Sequence, residues 1–324
     1  MKFALAALAG ISSATVMNNM DYEFMKFVTN FAKFYETVEE FEARKQVFAL
    51  TAANIEELNS RNTFMTAGHN QFSDWTDEEY FSMLGLEHKE EEDTETPVFE
   101  GVSNTAGIDW RDTAGVVTPV KDQGQCGSCW AFSATESVES AYVLAGNSQV
   151  IMSPQELVDC SKGILSNHGC NGGWYYYAWK WLESNKSMTE ADYPYTSGTT
   201  GTETSCAYDE SKGVTNVSSY TQVQANTDSI KAAIEQQPVS VAVSAGNNVF
   251  RNYTSGVVTE ADGCPTRVDH AIQAVGWGND GTQDYYIVRN SWNTTWGDKG
   301  YIKIATGDGK GVCGINQDIY FPTI

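Results

Sequence analysis

Positive charge is scarce in this 324-residue chain. Its 20 Lys and Arg stand against 42 Asp and Glu, for a net charge of -22. Such a field repels phosphate backbones and argues against nucleic acid as a partner. Proline (7) and glycine (28) are at ordinary levels and hydrophobic residues make up 41 %. Collagen-like, low-complexity and rod-like coiled-coil chains are thereby excluded. Past the first residues, no apolar run approaches the roughly 20 that a spanning helix needs, so no membrane anchor is expected. Histidine is limited to His69, His88, His168 and His270, and no cysteine precedes Cys126.

The acids are unevenly placed. Residues 15–103 hold 19 acidic and 6 basic side chains, whereas 104–324 hold 23 and 13. About a quarter of the chain thus carries more than half of the excess, which suggests two parts with different work. Before them, Met1-Lys2, an apolar run from Phe3 to Ile11 and the small residues Ser12 to Ala14 read as a signal peptide over 1–14. A buried first helix is the alternative. Residues 21–59 carry helical spacing (Phe24, Phe27, Val28, Phe31, then Phe41 to Leu58) with a break near Tyr35. Asp74 precedes an acidic turn and is expected to cap a short helix to Tyr80. Residues 87–106 lose periodicity, and their acids and Pro97 read as a linker open to cleavage.

From Asp109 the pattern predicts helices over 130–145, 153–160 (Ser153 as cap, Pro154 in the first turn) and 174–182. After about residue 214 it turns to strands, at 239–243, 271–277, 285–288 and 301–304. A helical half followed by a strand half indicates an α+β protein.

Seven cysteines leave one thiol over if disulfides form, and six allow 15 pairings that the sequence does not choose among. The spacing Cys126-Gly-Ser-Cys129 would suit zinc, but no second close Cys or His pair follows. A cysteine at the start of a helix faces unpaired N–H groups and the positive end of the dipole, which favour the thiolate nucleophile. Cys129 stands there. A Cys126–Cys129 disulfide is the competing reading at this point.

The segment Gln123-Gly-Gln-Cys-Gly-Ser-Cys-Trp-Ala-Phe-Ser133 resembles the papain-like cysteine peptidases. Val268-Asp-His-Ala271 and Arg289-Asn-Ser-Trp-Asn-Thr-Thr-Trp-Gly297 supply the downstream His270 and Asn290 of that family. The resemblance implies a two-lobed fold, with a helical lobe over about 109–213 and an antiparallel β-barrel lobe over about 214–320, together spanning 104–324. It implies that Cys129 attacks the peptide carbonyl as one half of a thiolate–imidazolium pair with His270. Asn290 would orient the imidazole, Gln123 would donate to the oxyanion, and Trp292 would shield the His–Asn bond. It also implies the disulfides Cys126–Cys170, Cys160–Cys206 and Cys264–Cys313, which leave Cys129 free. No metal or cofactor is called for.

Glu40-x3-Arg44-x2-Val47-Phe48, continuing to Ile55-x3-Asn59, resembles the helical propeptide signature of the cathepsin L-like branch, with Thr51 where Asn is usual. Gly68-x-Asn70-x-Phe72-x-Asp74 matches its second signature. Residues 15–103 are therefore expected to be an inhibitory propeptide that runs through the cleft in a non-cleavable direction and loosens in acid. Maturation is expected between 96 and 106.

Only nine residues separate Cys160 from Cys170, and His168 has no partner histidine nearby, which favours an endopeptidase. Gly172 and Gly173 would pair with extended substrate. By resemblance, Trp174, Tyr175, Ala242, Val268, Asp269, Ala271 and Trp292 contact substrate, and the pocket suits an aromatic or branched aliphatic side chain. Asp318 at the pocket floor would pair with Arg or Lys, or else face solvent. Sequons stand at Asn185, Asn216, Asn252 and Asn293, the last crowding the active-site rim if glycosylated. The implied partners are polypeptide substrates, the chain's own propeptide and cystatin-like inhibitors. The protein is expected to be a monomer of the secretory pathway, bound for a lysosome-like compartment or secreted. A catalytically silent homologue and a peptide ligase are the competing functions.

Overall fold

The computed structural model describes residues 19–86, 96–163 and 167–324. The expected signal peptide therefore lies outside the described residues, as do His88 and the acids of 87–95.

The N-terminal segment forms α1 (Asn19–Asn30), α2 (Val38–Ser60), β1 (Met65–Ala67) and α3 (Asp77–Ser82). The break near Tyr35 falls between the first two helices, and Thr37 caps the second by accepting from the Glu40 N–H at 3.1 Å. The two helices close on a small aromatic core of Phe24, Phe27 and Phe48. Asp74 does not cap α3. Thr76 does, in a reciprocal box with Glu79, while Asp74 is buried and accepts from Lys33 Nζ at 2.7 Å and Tyr35 Oη at 2.8 Å.

Next come β2 (Val98–Phe99) and β3 (Ile108–Asp109), then the helical lobe: α4 (Cys129–Leu144), α5 (Pro154–Cys160), α6 (Tyr175–Leu182) and the short α7 (Ser197–Thr200). The three longer helices fall within a residue or so of expectation. The β lobe contains β4 (Ser219–Val223), α8 (Thr227–Gln236), β5 (Val239–Val243), α9 (Asn248–Arg251) and β6 (Tyr253–Val258). It ends with β7 (His270–Asn279), β8 (Asp284–Arg289), β9 (Tyr301–Ala305) and β10 (Ile319–Thr323).

The strands run in the order β1-β6-β9-β8-β7-β5-β10-β4-β2, with β3 on β7. The centre is antiparallel, and two parallel pairs, β6–β9 and β2–β4, make the whole sheet mixed. Both ends of this row are residues from before the catalytic lobes. β1 covers β6 at one end and the two-residue β2 covers part of β4 at the other, so these short strands, and not β6 and β4, are the outermost. Residues 98–105 are thus not a bare linker. Gln224 N–H donates to Phe99 O at 2.9 Å, and the Glu235 carboxylate accepts from Thr105 Oγ1 at 2.8 Å and from Ser103.

Each lobe has its own core. That of the helical lobe holds Trp130, Tyr175, Trp179 and Leu182. That of the β lobe holds Val241, Ile272, Trp292 and Trp296, and extends into Phe72, Tyr80 and Met83 of the N-terminal segment. The disulfides are Cys126–Cys170, Cys160–Cys206 and Cys264–Cys313, and Cys129 is free.

Candidate active site

Cys129 is the first residue of α4, and Ser128 at the cap position makes no side-chain cap bond. The sulfur is fully buried at the junction of the lobes. Burial pushes its thiol up to about 11, although backbone N–H groups of Ala271, Gly85 and Trp130 face it and favour charge. Gly127 sits so close to the Cys170 carbonyl that a Cβ would stand 2.5 Å from its oxygen.

His270 opens β7 and is also fully buried. Its Nε2 meets Asn290 Oδ1 at 2.8 Å, and Oδ1 is fixed by the Ser291 N–H at 2.8 Å. Trp292 stacks on the imidazole with centroids 4.5 Å apart. Burial pushes the ring down to about 4, against the pull of Asn290. While residues 83–86 cover them, burial thus works against the charged form of both groups.

Gln123 is held through its N–H and through both ends of its side-chain amide. Its N–H donates to Ser291 O at 2.9 Å, and its Oε1 accepts from Ser291 Oγ at 2.7 Å and Trp292 Nε1 at 3.1 Å. Its Nε2 donates to Cys126 O at 2.9 Å and to Met83 O, in the N-terminal segment, at 2.8 Å. Gly173 N–H donates to Gly85 O at 2.9 Å, and Leu86 N–H donates to Asp269 O at 3.2 Å. Leu86 pairs with Gly173 in the parallel sense. A Cβ on Gly85 would lie 1.8 Å from Gly127 O, so only glycine passes there. Residues 83–86 thus lie across the cysteine.

Residues 105–323 match the family model described as "Papain family cysteine protease". This chain is a papain-family cysteine protease. Residues 24–80 match the "Cathepsin propeptide inhibitor domain (I29)", so the protease is a zymogen whose N-terminal segment is its own inhibitor. "Digestive cysteine proteinase 3" of Homarus americanus is 37% identical over 333 residues, covering 100% of both chains. Ananain of Ananas comosus is 36% identical over 93% of this chain and 87% of its own. Among solved structures, digestive procathepsin L2 of Tenebrio molitor superposes with a TM-score of 0.86 at 32% identity, covering 94% of this chain and 100% of that one. Procathepsin L 3 of the same larval midgut gives 0.83 at 30%, covering 95% and 100%.

Beside residues 84–86 of the propeptide lies a cavity of about 1000 Å³ lined by Trp174, Val268, Asp269 and Asp318, with Arg267 and Lys310 also on its wall. Three of the expected pocket residues do not line it. Tyr175, Ala242 and Ala271 are fully buried in the layer beneath, where Tyr175 Oη and the Ala242 N–H both donate to Asp318 O, at 2.8 and 3.1 Å. Gly173 pairs with the propeptide as expected of a substrate strand. Gly172 does not. Its carbonyl accepts from the His168 N–H at 2.8 Å, and its φ of 128° is a glycine conformation. Trp292 meets propeptide rings, Phe72 at 5.3 Å and Tyr80 at 5.6 Å.

Sequence reasoning missed Ser291, Met83 and Gly85. Ser291 lies inside a string that was read for its neighbours. Met83 acts through a carbonyl that any residue would supply. Gly85, between two leucines, was the legible signal. Of the sequons, Asn252 is buried under the bond from the Gly68 N–H to its carbonyl, at 2.8 Å. Asn293 is exposed on a turn with φ 60°.

Proposed function

We propose that the protein is an acid-activated cysteine endopeptidase in which Cys129 is the nucleophile, His270 the proton carrier, Asn290 its orienter and Gln123 an oxyanion donor. One observation supports this reading above the others. The Gln123 Nε2, fixed through its Oε1, already holds a peptide carbonyl, that of Met83, across the only free thiol among the described residues. Departure of the propeptide frees that N–H and readmits water. The buried Nδ1 of His270 has no hydrogen-bond partner and can then take the thiol proton.

The Sγ–carbonyl bond forms as the carbonyl electron pair moves to oxygen, where the Gln123 Nε2–H and the Cys129 N–H receive it. Collapse breaks the C–N bond, and His270 gives its proton to the leaving amine. Water then attacks the thioester as His270 takes its proton, and collapse breaks the Sγ–C bond, releasing the acid and returning Cys129 and His270 to their starting state. A substrate paired antiparallel to Gly173, opposite to Leu86, would present its chain in the cleavable direction. Trp174, Val268 and Asp318 would receive the side chain two residues before the cut, with Asp318 favouring a basic one. The nine residues between Cys160 and Cys170 leave little chain with which to block an end of the cleft.

The three disulfides suit an oxidising, secretory route ending in an acidic compartment or outside the cell. The exposed Asn293 is the sequon best placed to carry a glycan, and the protease acts as a monomer.

The test shifts the proprotein and its Cys129→Ala variant to about pH 4.5, following intact mass and cleavage of Phe-Arg and Leu-Leu fluorogenic substrates. A mass loss with new activity, absent in the variant, is expected. Conversion of the variant alone, or conversion without activity, would remove Cys129 from the nucleophile role. Asp318→Ala should reduce cleavage of substrates with Arg at the second position more than of those with Leu. An equal loss would sink its assignment.

A further inference from the structure

Gln123 also needs its main chain held, and no group assigned above does that on its carbonyl side. Tyr195 does. Its Oη donates to Gln123 O at 2.8 Å and lies 2.7 Å from Ser128 Oγ. A phenol has one proton, so with that proton on Gln123 the Ser128 hydroxyl is the donor in the second bond. The alternative acceptor for Ser128, Cys126 O, is 3.5 Å away. A short chain of hydrogen bonds thus runs from the residue before Cys129, through Tyr195, to the main chain of the oxyanion donor.

Tyr195 is itself fixed. Its N–H donates to Glu190 Oε1 at 2.8 Å, and its ring meets Phe132 edge-on at 4.8 Å. The chain just after it braces the same loop, since the Gln125 N–H donates to Gly198 O at 2.8 Å. The approach is so close that a Cβ on Gly124, at φ 57°, would stand 2.3 Å from Gly198 O. Segment 195–198 is therefore a close backing for the loop from Gln123 to Cys129, which carries the two proposed oxyanion donors at its ends.

We propose that Tyr195 is a positioning residue for the oxyanion site, holding Gln123 in register with the Cys129 N–H. This rests on the oxyanion role given to Gln123 above. Donors contribute to catalysis to the extent that they are preorganised where charge develops, so a loop that drifts loses rate before it loses substrate. The side chain of Gln123 is oriented from the β lobe, by Ser291 and Trp292, whereas its carbonyl is oriented from the helical lobe, by Tyr195. Tyr195 thus ties the donor to the lobe that carries the nucleophile.

The test uses the full chain, activated in acid, as Tyr195→Phe, Gln123→Ala and the double variant. Tyr195→Phe should lower kcat about tenfold while KM moves by less than about twofold. It should weaken a peptide aldehyde, whose thiohemiacetal oxygen enters the oxyanion site, by about the same factor. Alkylation of Cys129 by iodoacetamide builds no oxyanion and should keep its rate. In the Gln123→Ala background, Tyr195→Phe should cost less than about twofold, because the route through Gln123 is gone. Unchanged kcat, an alkylation rate that falls with kcat, or losses that multiply in the double variant would each overturn the proposal. Full activity of Gln123→Ala would instead strike at the role of Gln123 itself. Ser128→Ala removes only the outer bond of the chain, and must show the same split between kcat and alkylation at smaller size.

Discussion

A carboxyl group of the propeptide and one of the catalytic domain are shifted in opposite directions. In the propeptide, two acids are paired with cations. Asp74 meets Lys33 Nζ and Tyr35 Oη, and Arg44 beside Glu79 holds that carboxyl below its usual range, with two short bonds joining the pair. In the catalytic domain, Glu156 is buried with one backbone donor, the Met188 N–H at 2.7 Å, while its Oε1 has no partner. Burial pushes it up to about 8, so it is held as the neutral acid. Glu136 is likewise raised by burial, against the pull of Arg289 and Lys121. Paired carboxylates fail when protons arrive, and buried acids fail when protons leave. Protonation therefore weakens the Arg44–Glu79 contact of the propeptide, whereas Glu156 of the catalytic domain favours the protonated form.

The comparison breaks most sharply where the two regions touch. A Cβ on residue 85 would stand 1.8 Å from Gly127 O, and both atoms belong to rigid main chain. Overpacking of this kind costs about 1–3 kcal/mol, so Gly85→Ala should loosen the propeptide by about tenfold to a hundredfold at any pH. The check is the activity of the uncleaved proprotein at pH 7, with intact mass confirming that no conversion has occurred. Basal activity equal to that of the parent would mean that residues 83–86 do not hold the cleft closed.

Which parts of this arrangement were legible follows from how they act. Cys129, His270, Asn290 and Gln123 act through particular side chains, so short strings reveal them, and the structure brings all four to the junction of the lobes. Asp74 satisfied the rule for a helix cap, but Lys33, 41 residues upstream, claimed it, and Thr76 with Glu79 made the local box. Such a long-range pairing leaves no periodic trace. β2 is two residues long and β6 carries Gly256 at φ 83°, so neither announces itself as a strand. Tyr175, Ala242 and Ala271 aligned with pocket positions, yet all three are buried and do not line the cavity, and the first two bond the Asp318 carbonyl. Residues that act through main chain, Met83 above all, are invisible to side-chain reasoning.

The catalytic side of the comparison is sharpened by Glu156. Its pKa in the folded domain, about 8, lies above the ordinary value of 4.5. The folded form thus binds a proton that the unfolded form has released. The contribution is complete below about pH 4.5 and is lost progressively as the pH rises to about 8. Gln keeps the acceptor for Met188 and cannot ionise. Glu156→Gln should therefore gain on the order of a few kcal/mol at pH 8, or roughly 5–10 °C in Tm, and little at pH 4.5. Melting curves of the activated domain at the two pH values check this. A gain of the same size at both would mean that packing, and not ionisation, separates the variants.

The smallest expected effect lies on the propeptide side, at His69. Its ring stacks on Phe48 with centroids 4.2 Å apart, and its Nδ1 is buried with no hydrogen-bond partner. Burial holds it below its ordinary value, and the carboxylate of Glu23 on α1 acts weakly the other way. Here the unfolded propeptide binds the proton that the folded one refuses. Stability is full above about pH 6.5 and falls as the pH drops from there to the folded value. His69→Phe keeps a ring against Phe48 and removes the titration. The midpoint for appearance of activity on acidification should move down by about half a pH unit. Glu79, whose carboxyl Arg44 holds below its usual range, would still contribute to the response. A midpoint that does not move would leave His69 as a packing residue alone.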